Sequence, residues 1–498
     1  MKPENQNSNT ERSPVVAIMG HIDHGKSTLL SYIRKNTKDL VEAGGITQHI
    51  SSYEVEHLAK DGKKHLITFL DTPGHSAFSG IRKRGASVAD IGILVVSAED
   101  GVKPQTLEAQ KSIVESGTPY IVVINKIDKP EANIEKTKQS LTENEIYIEG
   151  YGGDIPAVAL SAKTGEGVSE LLDMIILVAE LENLTGDKTL PAEGVIIEST
   201  RDIQKGISAV CIIKNGSLEK GEFVATNESI APIRIIENYL GKPVDSATFS
   251  SPIKIIGWDK LPEVGSTFQT FKTKNEAVKY IEKENKKPIN NKQTNISENN
   301  LNLVVKADTG SSLEAVLSEI SKLESERMGV QIISSGIGAI CENDIRVANG
   351  SKKAIVLGFN TKIDSPAKDL SERNAVEVKT FDVIYKLTEW LSEKLIEKTP
   401  KMQVDEAKGK AKILKIFSKV KDKQILGGRV EDGSITLGSQ VKIMRREAEI
   451  GQGKIRELQS QKVSISEASL GKEFGALIEA KIEIAPGDHI ECFVTVEK

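Results

Sequence analysis

The sequence predicts a multi-domain protein of α/β plus β character: a doubly wound α/β domain, two β-barrels, one small α/β domain and a connecting helix. Three observations predict it. Early in the chain, short apolar runs alternate with helical stretches, the rhythm of a sheet covered on both faces. Twice later, strand-like runs are separated by Gly, Asn and Pro turns, the rhythm of a barrel. At 498 residues, the chain has room for about three or four domains.

The elements follow in order. Residues 1–13, rich in Asn, Ser and Glu, read as a disordered tail. Residues 14–184 form the first domain. Its buried strands are predicted at Val15–Met19, Leu66–Leu70, Ile91–Val96, Tyr120–Ile124 and Ala157–Leu160, and its helices at Ser27–Arg34, Pro104–Glu115, Glu131–Asn144 and Val168–Glu180. Residues 190–271 change to barrel rhythm. A charged helix at Lys274–Lys287 and the Asn-rich stretch Pro288–Asn300 make residues 272–300 a helix and linker. Residues 301–381 alternate again, with strands at Leu303–Lys306, Gln331–Ser334, Ala354–Phe359 and Val376–Val378 and helices between them. In residues 382–399, Ile384, Leu387, Leu391 and Leu395 share one helical face. Residues 400–498 are β-rich. Asn215–Gly221 and Asp432–Gly438 repeat one turn pattern, and Pro262–Gly265 and Ala485–Asp488 repeat another in the same order, which predicts two related barrels.

Composition narrows the class. With 38% hydrophobic and 28% charged residues, the chain is an ordinary globular one, and a net charge of −5 gives no hint of nucleic acid. Local basic patches remain compatible with that charge. Cys211, Cys341 and Cys492 are far apart and form no CxxC pair, which argues against a disulfide framework or zinc site and fits a reducing compartment. The start lacks the apolar core of a secretory signal, and no apolar run approaches the roughly 20 residues that span a bilayer. The expectation is a cytoplasmic protein without a membrane partner.

Four short motifs carry chemistry. Gly20-His21-Ile22-Asp23-His24-Gly25-Lys26-Ser27, followed by Thr28, fits the phosphate-loop pattern GxxxxGK[ST] between a strand and a helix. Tight backbone turns there aim successive N–H groups and the helix N-terminus at an anion. Lys26 is placed to reach β- and γ-phosphates and Ser27 to ligate Mg²⁺. Asp71-Thr72-Pro73-Gly74-His75 ends a strand. Asp71 can hold Mg²⁺ through water, and the Gly74 N–H can sense a γ-phosphate. Asn125-Lys126-Ile127-Asp128 ends another strand. The Asp128 carboxylate can accept from the N1–H and N2–H₂ edge of guanine, donors that adenine lacks, while Lys126 lies along the base plane. Ser161-Ala162-Lys163 offers a backbone N–H to the guanine oxygen. Four motifs in this order, each at a strand end, predict a P-loop GTPase domain that binds GTP with Mg²⁺.

His75 follows Gly74 directly, where a group that orients the attacking water is needed, so it is the catalytic candidate. A lone histidine is more often structural, and for His21 and His24 a packing or loop-shaping role is expected.

GHIDHGKS, DTPGH and NKID together resemble translational GTPases. Glu42–Ile50 (EAGGITQHI), Arg84-Gly85-Ala86, Glu99–Thr106 (EDGVKPQT) and Val305–Ala315 (VKADTGSSLEA) are similar to bacterial-type translation initiation factor two. The resemblance implies that Thr47 ligates Mg²⁺ in the GTP form. It also implies the partners: initiator tRNA, the small and large ribosomal subunits and ribosomal RNA, with no DNA and with a monomer off the ribosome. The implied role is to bring initiator tRNA to the small subunit, promote subunit joining, and leave after ribosome-stimulated hydrolysis. A tRNA-carrying elongation GTPase, such as a selenocysteine-tRNA carrier, is the rival of the same class. A GTP-gated ribosome-binding scaffold without significant turnover is the rival of another.

The last domain departs from the family's pattern. Gly428 and Phe474 stand where the family carries two cysteines against the formyl-methionyl end of initiator tRNA, and Gln459-Ser460-Gln461 replaces a basic-aromatic segment. Glu473 and Gly475 persist, and are the residues carried over to that tRNA end. Separately, Lys408, Lys410, Lys412, Lys415, Lys419, Lys421 and Lys423 form a basic run with one acid, Asp422. A solvated strand face is preferred there over RNA contact.

Overall fold

The computed structural model describes residues 9–34, 50–60, 62–74, 76–202, 204–284, 300–323, 329–351, 354–398, 403–446, 448–461 and 463–497. Thr47, the rest of 42–49, His75, residues 1–8 of the tail and residues 288–299 of the linker lie outside the described residues. The chain divides into two compact units, residues 1–398 and 399–498.

The first unit opens with a six-stranded sheet in the order Ser51–Leu58, Lys64–Asp71, Val15–Gly20, Ile91–Ser97, Tyr120–Asn125, Ala157–Ala159. All neighbours are parallel except the first pair. Val15–Gly20 is buried at every position, as expected of a central strand with helices on both faces. Val16 and Ile18 face Leu29 and Ile175 on one side, while Ala17 and Met19 join Ile81 and Ile113 on the other. Parallel strands bring Gly20, Asp71, Asn125 and the segment after Ala159 to one end of the sheet.

The tail is corrected in part. Asn9–Glu11 is a strand, pairing Asn9 with Asp187 and Glu11 with Thr185. Arg12 follows and donates to both oxygens of Asp90 at 2.6 and 2.7 Å. Lys214, from the following barrel, donates to the same carboxylate at 2.9 Å, and so does the Val15 N–H. Burial would push Asp90 upward, but Arg12 and Lys214 outweigh it and hold the carboxyl below its usual range. Polar composition predicts disorder only when no partner awaits. Here a strand ladder and a buried anion supply one.

The barrel that follows is an antiparallel sheet of eight strands. Its Glu193–Asp202 and Gly206–Asn215 strands pack Ile196, Ala209, Cys211 and Ile213 onto one core. The small α/β domain has a four-stranded parallel sheet in the order Val330–Ile337, Leu301–Ala307, Ile355–Phe359, Val378–Phe381. The last strand begins later than the sequence suggests. Ala375 is left-handed (φ 50°) and the Val376 N–H closes onto Ser371 O at 3.0 Å, so the chain is still leaving a helix there. Ile384–Lys398 is a helix whose Ile384, Leu387, Leu391 and Leu395 are all buried.

The second unit is a closed barrel. The strands run Gln403–Val420, His489–Glu497, Gln440–Arg445, Ala448–Ser460, Glu473–Ala480, Lys423–Thr436, and the last pairs back with the first. Each barrel carries its own copy of one corner. Leu218 pairs with Ala247 in one, and Ile435 with Ala468 in the other, each one position into a three-residue antiparallel ladder. The glycines of the repeated turns match as well, with left-handed Gly216 and Gly433 before the ladder.

Candidate functional site

The phosphate loop leaves the central strand at Gly20, makes one 3-10 turn at Ile22–His24 and enters the helix Lys26–Arg34 at Gly25. Gly25 is left-handed (φ 84°), and a Cβ there would lie 2.5 Å from the Asn125 side-chain nitrogen. No other residue fits. Lys26 is 4% exposed, and its ammonium donates to Gly20 O at 2.9 Å and His21 O at 2.6 Å. Burial is the main reason its pKa falls to about 8, with Arg82 adding to the fall and Asp71 and Asp23 opposing it. Ser27 and Thr28 occupy the first helical turn and face solvent.

His24 shapes the loop. Burial lowers its pKa to about 4, so the ring is neutral at pH 7. Val95 O can only accept, so Nδ1 carries the proton and donates at 3.2 Å. The His21 ring meets the His24 ring edge-on, with centroids 4.9 Å apart.

Asp71 ends its strand nearly buried, and Thr72 donates to Ile18 O at 2.7 Å, pinning the turn to the central strand. Gly74 lies directly against the phosphate loop: a Cβ there would be 2.5 Å from Lys26 Nζ and 3.2 Å from Ile22 Cα.

Asn125 knots three loops together. Its amide nitrogen donates to His24 O at 2.8 Å, and its oxygen accepts from the N–H groups of Lys126 at 2.7 Å and Ala162 at 3.0 Å. Lys126 is held left-handed (φ 65°), a costly state for a side-chain-bearing residue, and its ammonium reaches Glu99 at 3.1 Å. The Ile127 N–H donates to Leu160 O at 3.4 Å. The Ser161 hydroxyl donates to Asp128 at 2.7 Å and accepts the Thr164 N–H at 3.1 Å. That hydroxyl bond is the main cause holding the Asp128 carboxyl below its usual range. Lys163 beside it is exposed. The phosphate loop, Asp71–Gly74, Asn125–Asp128 and Ser161–Lys163 therefore converge. Chemically, loop N–H groups and a lysine could meet an anion at one end, and a carboxylate that accepts from Ser161 could meet a donor edge at the other.

Sequence reasoning missed Arg82 and Glu108, and met Gln105 only within the Glu99–Thr106 resemblance. Arg82 is 1% exposed on the helix Ser79–Val88, donating to Glu108 at 2.7 Å and to Pro73 O at 3.4 Å. Gln105 accepts the Ile22 N–H at 3.3 Å. Arg82 had a signal: it lies in register with apolar Phe78 and small Gly85 and Ala86 on one helical face, where a cation needs a buried partner. From the next residues of the same helix, Arg84 reaches Glu314 at 2.6 Å and Ser311 at 3.4 Å. Those two belong to the Val305–Ala315 run, whose Ser311 N–H also donates to the barrel's Glu198 at 3.1 Å.

Glu473 and Gly475 belong to the second unit and border a groove of about 950 Å³. Across four strands the outward row reads Lys415, Gly427, Gly475, Gln459, so its two middle positions carry no side chain. Phe417, Ile425 and Leu477 form an apolar wall, and Glu473 and Lys472 line the same groove. Phe474 points inward and is buried in the barrel core. A Cβ at Gly428 would lie 2.9 Å from its ring, so those two positions fit as a pair. Ser460 donates to Glu473 O at 3.2 Å. In the basic run, Lys410 pairs with Glu491 and Lys419 with Glu483, both at 3.0 Å.

The Elongation factor Tu GTP binding domain family matches residues 11–180, the Elongation factor G domain 2 family residues 191–271, and the Translation-initiation factor 2 family residues 275–392. The chain is similar to Translation initiation factor IF-2 of Bacillus licheniformis, at 39% identity over 100% of this chain and 70% of that protein. It is similar to the Bacillus subtilis protein of that name at 38%, with the same coverage. The chloroplastic one of Rhodomonas salina is 40% identical over 98% of this chain and 66% of its own length. The chain spans as little as 59% of another relative, from Nitratiruptor. A crystal structure of GDP-bound aIF5B from Aeropyrum pernix matches at 28% identity over 97% of this chain and 92% of that one, with a TM-score of 0.47.

Proposed function

Since this chain belongs to the translation initiation factor 2 family, and is a guanine-nucleotide-binding GTPase of initiation, we propose that it brings initiator tRNA to the small ribosomal subunit. In this reading it promotes joining of the large subunit and leaves after hydrolysis stimulated by ribosomal RNA. It works in the cytoplasm as a monomer off the ribosome. No helix among the described residues is long and apolar enough to cross a membrane. The observation that carries the reading is the convergence of four loops on one sheet end, with Ser161 presetting Asp128 for guanine. Lys26, Gly20–Thr28 and Gly74 serve the phosphates. Asn125, Lys126, Asp128 and Ala162 serve the base. His75 orients the attacking water.

Mg²⁺ fits the donor set: the Ser27 hydroxyl, the Asp71 carboxylate through water, and Thr47 are hard oxygen donors. Among the described residues, no group of three or more His, Cys, Asp or Glu could hold a metal ion. Bound there, it would neutralise β- and γ-phosphate charge. Arg84 against Glu314 supports a route from the loop after Asp71 to the third domain, since one ion pair ties the two.

The test is co-sedimentation with ribosomal subunits under a non-hydrolysable GTP analogue, GDP or no nucleotide. Retention with the analogue and release with GDP is expected. Pelleting that ignores the nucleotide would sink the reading.

The initiator tRNA end is proposed to meet the groove at Glu473 and Gly475. With Phe474 turned into the core and Ser460 spent on the Glu473 carbonyl, neither of these two positions offers a donor to a formyl oxygen. A buried ligand group without a partner costs about 1–3 kcal/mol, or roughly tenfold or more in affinity. The full chain should therefore protect formylated and unformylated methionyl-tRNA from ester hydrolysis to within about tenfold. Protection should also weaken steeply with salt as lysine–phosphate contacts are screened. Strong, salt-resistant protection of the formylated form alone would contradict this.

A further inference from the structure

Glu99–Thr106 and the helix after Asp71 carry residues for which the nucleotide contacts above leave no role. The guanidinium of Arg82 is 1% exposed, yet an apolar side chain of equal volume would fill that space without desolvating a charge. Folding alone therefore does not call for arginine there. Its neighbours do suggest a task. One arm donates to Glu108 at 2.7 Å, and the other reaches Pro73 O at 3.4 Å. Glu108 is half exposed, so the pair is a buried cation with its counter-ion at the surface.

The Pro73 carbonyl and the Gly74 N–H are two ends of one peptide unit. A trans peptide is planar, and its C=O and N–H point in opposite directions. A donor that holds the carbonyl consequently sets where the N–H points. One turn along the helix Pro104–Glu115 from Glu108, Gln105 accepts the Ile22 N–H of the phosphate loop. A single helical turn thus ties both loops that face the phosphates.

We propose that Arg82, braced by Glu108, is the positioning residue for GTP recognition: by holding the Pro73 carbonyl it aims the Gly74 N–H at the γ-phosphate. The proposal rests on the reading of Gly74 as the γ-phosphate sensor. The β-phosphate is served by Lys26 and the phosphate loop, whereas the bonds described for Arg82 run to Pro73 and Glu108. Loss of Arg82 should therefore spare GDP and penalise GTP.

The experiment uses the full chain with Arg82→Met, Arg82→Lys, Glu108→Gln and Gly74→Ala. GDP and non-hydrolysable GTP-analogue affinities are measured by competition, and kcat and KM with ribosomes. For Arg82→Met, GDP affinity should stay within about twofold, while the analogue-over-GDP ratio and stimulated kcat each fall roughly tenfold or more, the worth of one charge-assisted bond. Arg82→Lys, which keeps the charge and loses the planar fork, should fall between. Glu108→Gln should shift the ratio the same way by a smaller factor, and being at the surface it carries the test if Arg82→Met does not fold. An equal loss for GDP and the analogue, or an unchanged ratio, would overturn the proposal. If Gly74→Ala also leaves the ratio unchanged, the sensor reading itself fails. If Gly74→Ala lowers the ratio and the Arg82 and Glu108 variants do not, only the role of Arg82 fails.

Discussion

Asp128→Asn is expected to turn a guanine site into a xanthine site. Guanine offers N1–H and N2–H₂, which a carboxylate accepts. An amide in the same place sets its own N–H₂ against the guanine N2–H₂, donor facing donor. Xanthine carries an oxygen at that carbon and accepts from the amide while its N1–H still donates. The Ser161 hydroxyl sharpens the exchange. Its one proton points at Asp128, 2.7 Å away, because its oxygen already accepts the Thr164 N–H. In the variant that proton selects the amide oxygen and leaves the amide nitrogen for the base. Losing one bond to a charged group, weakening the other and setting donor against donor should cost GTP on the order of tenfold to a hundredfold in affinity. Competition between GTP and xanthosine triphosphate reads the result. A variant that still prefers GTP would show that another residue reads the base.

Lys26→Ala should remove tight binding of GTP and GDP alike, by about a hundredfold or more, because the β-phosphate is common to both. Two loop carbonyls, Gly20 O and His21 O, also lose their donor. Tight GDP binding by the variant would place the phosphates elsewhere. The wild-type chain supplies a second reading of the same group. Burial lowers the Lys26 pKa to about 8, and a phosphate beside the ammonium favours its charged form, so the pKa in the complex is higher. Binding then takes up a proton once the free lysine has lost it. Affinity should be level below about pH 8 and decline as pH rises through that value toward the pKa of the complex. Affinity that stays level well above that pH would show that the ammonium does not meet the phosphates.

What the sequence made legible follows a physical divide. Val15–Gly20 and Tyr120–Asn125 are buried on both faces, so they read as unbroken apolar runs whose ends mark the loops. Ser51–Leu58 went unread because it is an edge strand, largely half exposed, with Glu and His among its residues. The helix Ser79–Val88 hid because Arg82 interrupts its apolar stripe, and burial of a guanidinium shows only once Glu108 is seen beside it. The contacts that assemble the site are long-range. Asn125 reaches His24 across 101 residues of chain, and no local pattern encodes that. Gly428 and Phe474 show the same limit. Each looks like an isolated departure from the family's cysteines, whereas in space the ring of one fills the room beside the other.

The convergence on Asp90 has a consequence for the order of events during synthesis. Its carboxylate draws on Arg12, 78 residues earlier, and on Lys214, 124 residues later. The strand Asn9–Glu11 in turn waits for Thr185–Asp187. At about 5–20 residues per second, the second cation emerges roughly 6–25 seconds after Asp90. Throughout that interval the anion leans on Arg12 and the Val15 N–H, and until residues 185–187 are made the strand Asn9–Glu11 is left unclasped. The Asp90 cluster is finished only when the neighbouring barrel has supplied Lys214, while a nascent chain stalled before Thr185 should be the stage most open to protease at the strand Asn9–Glu11.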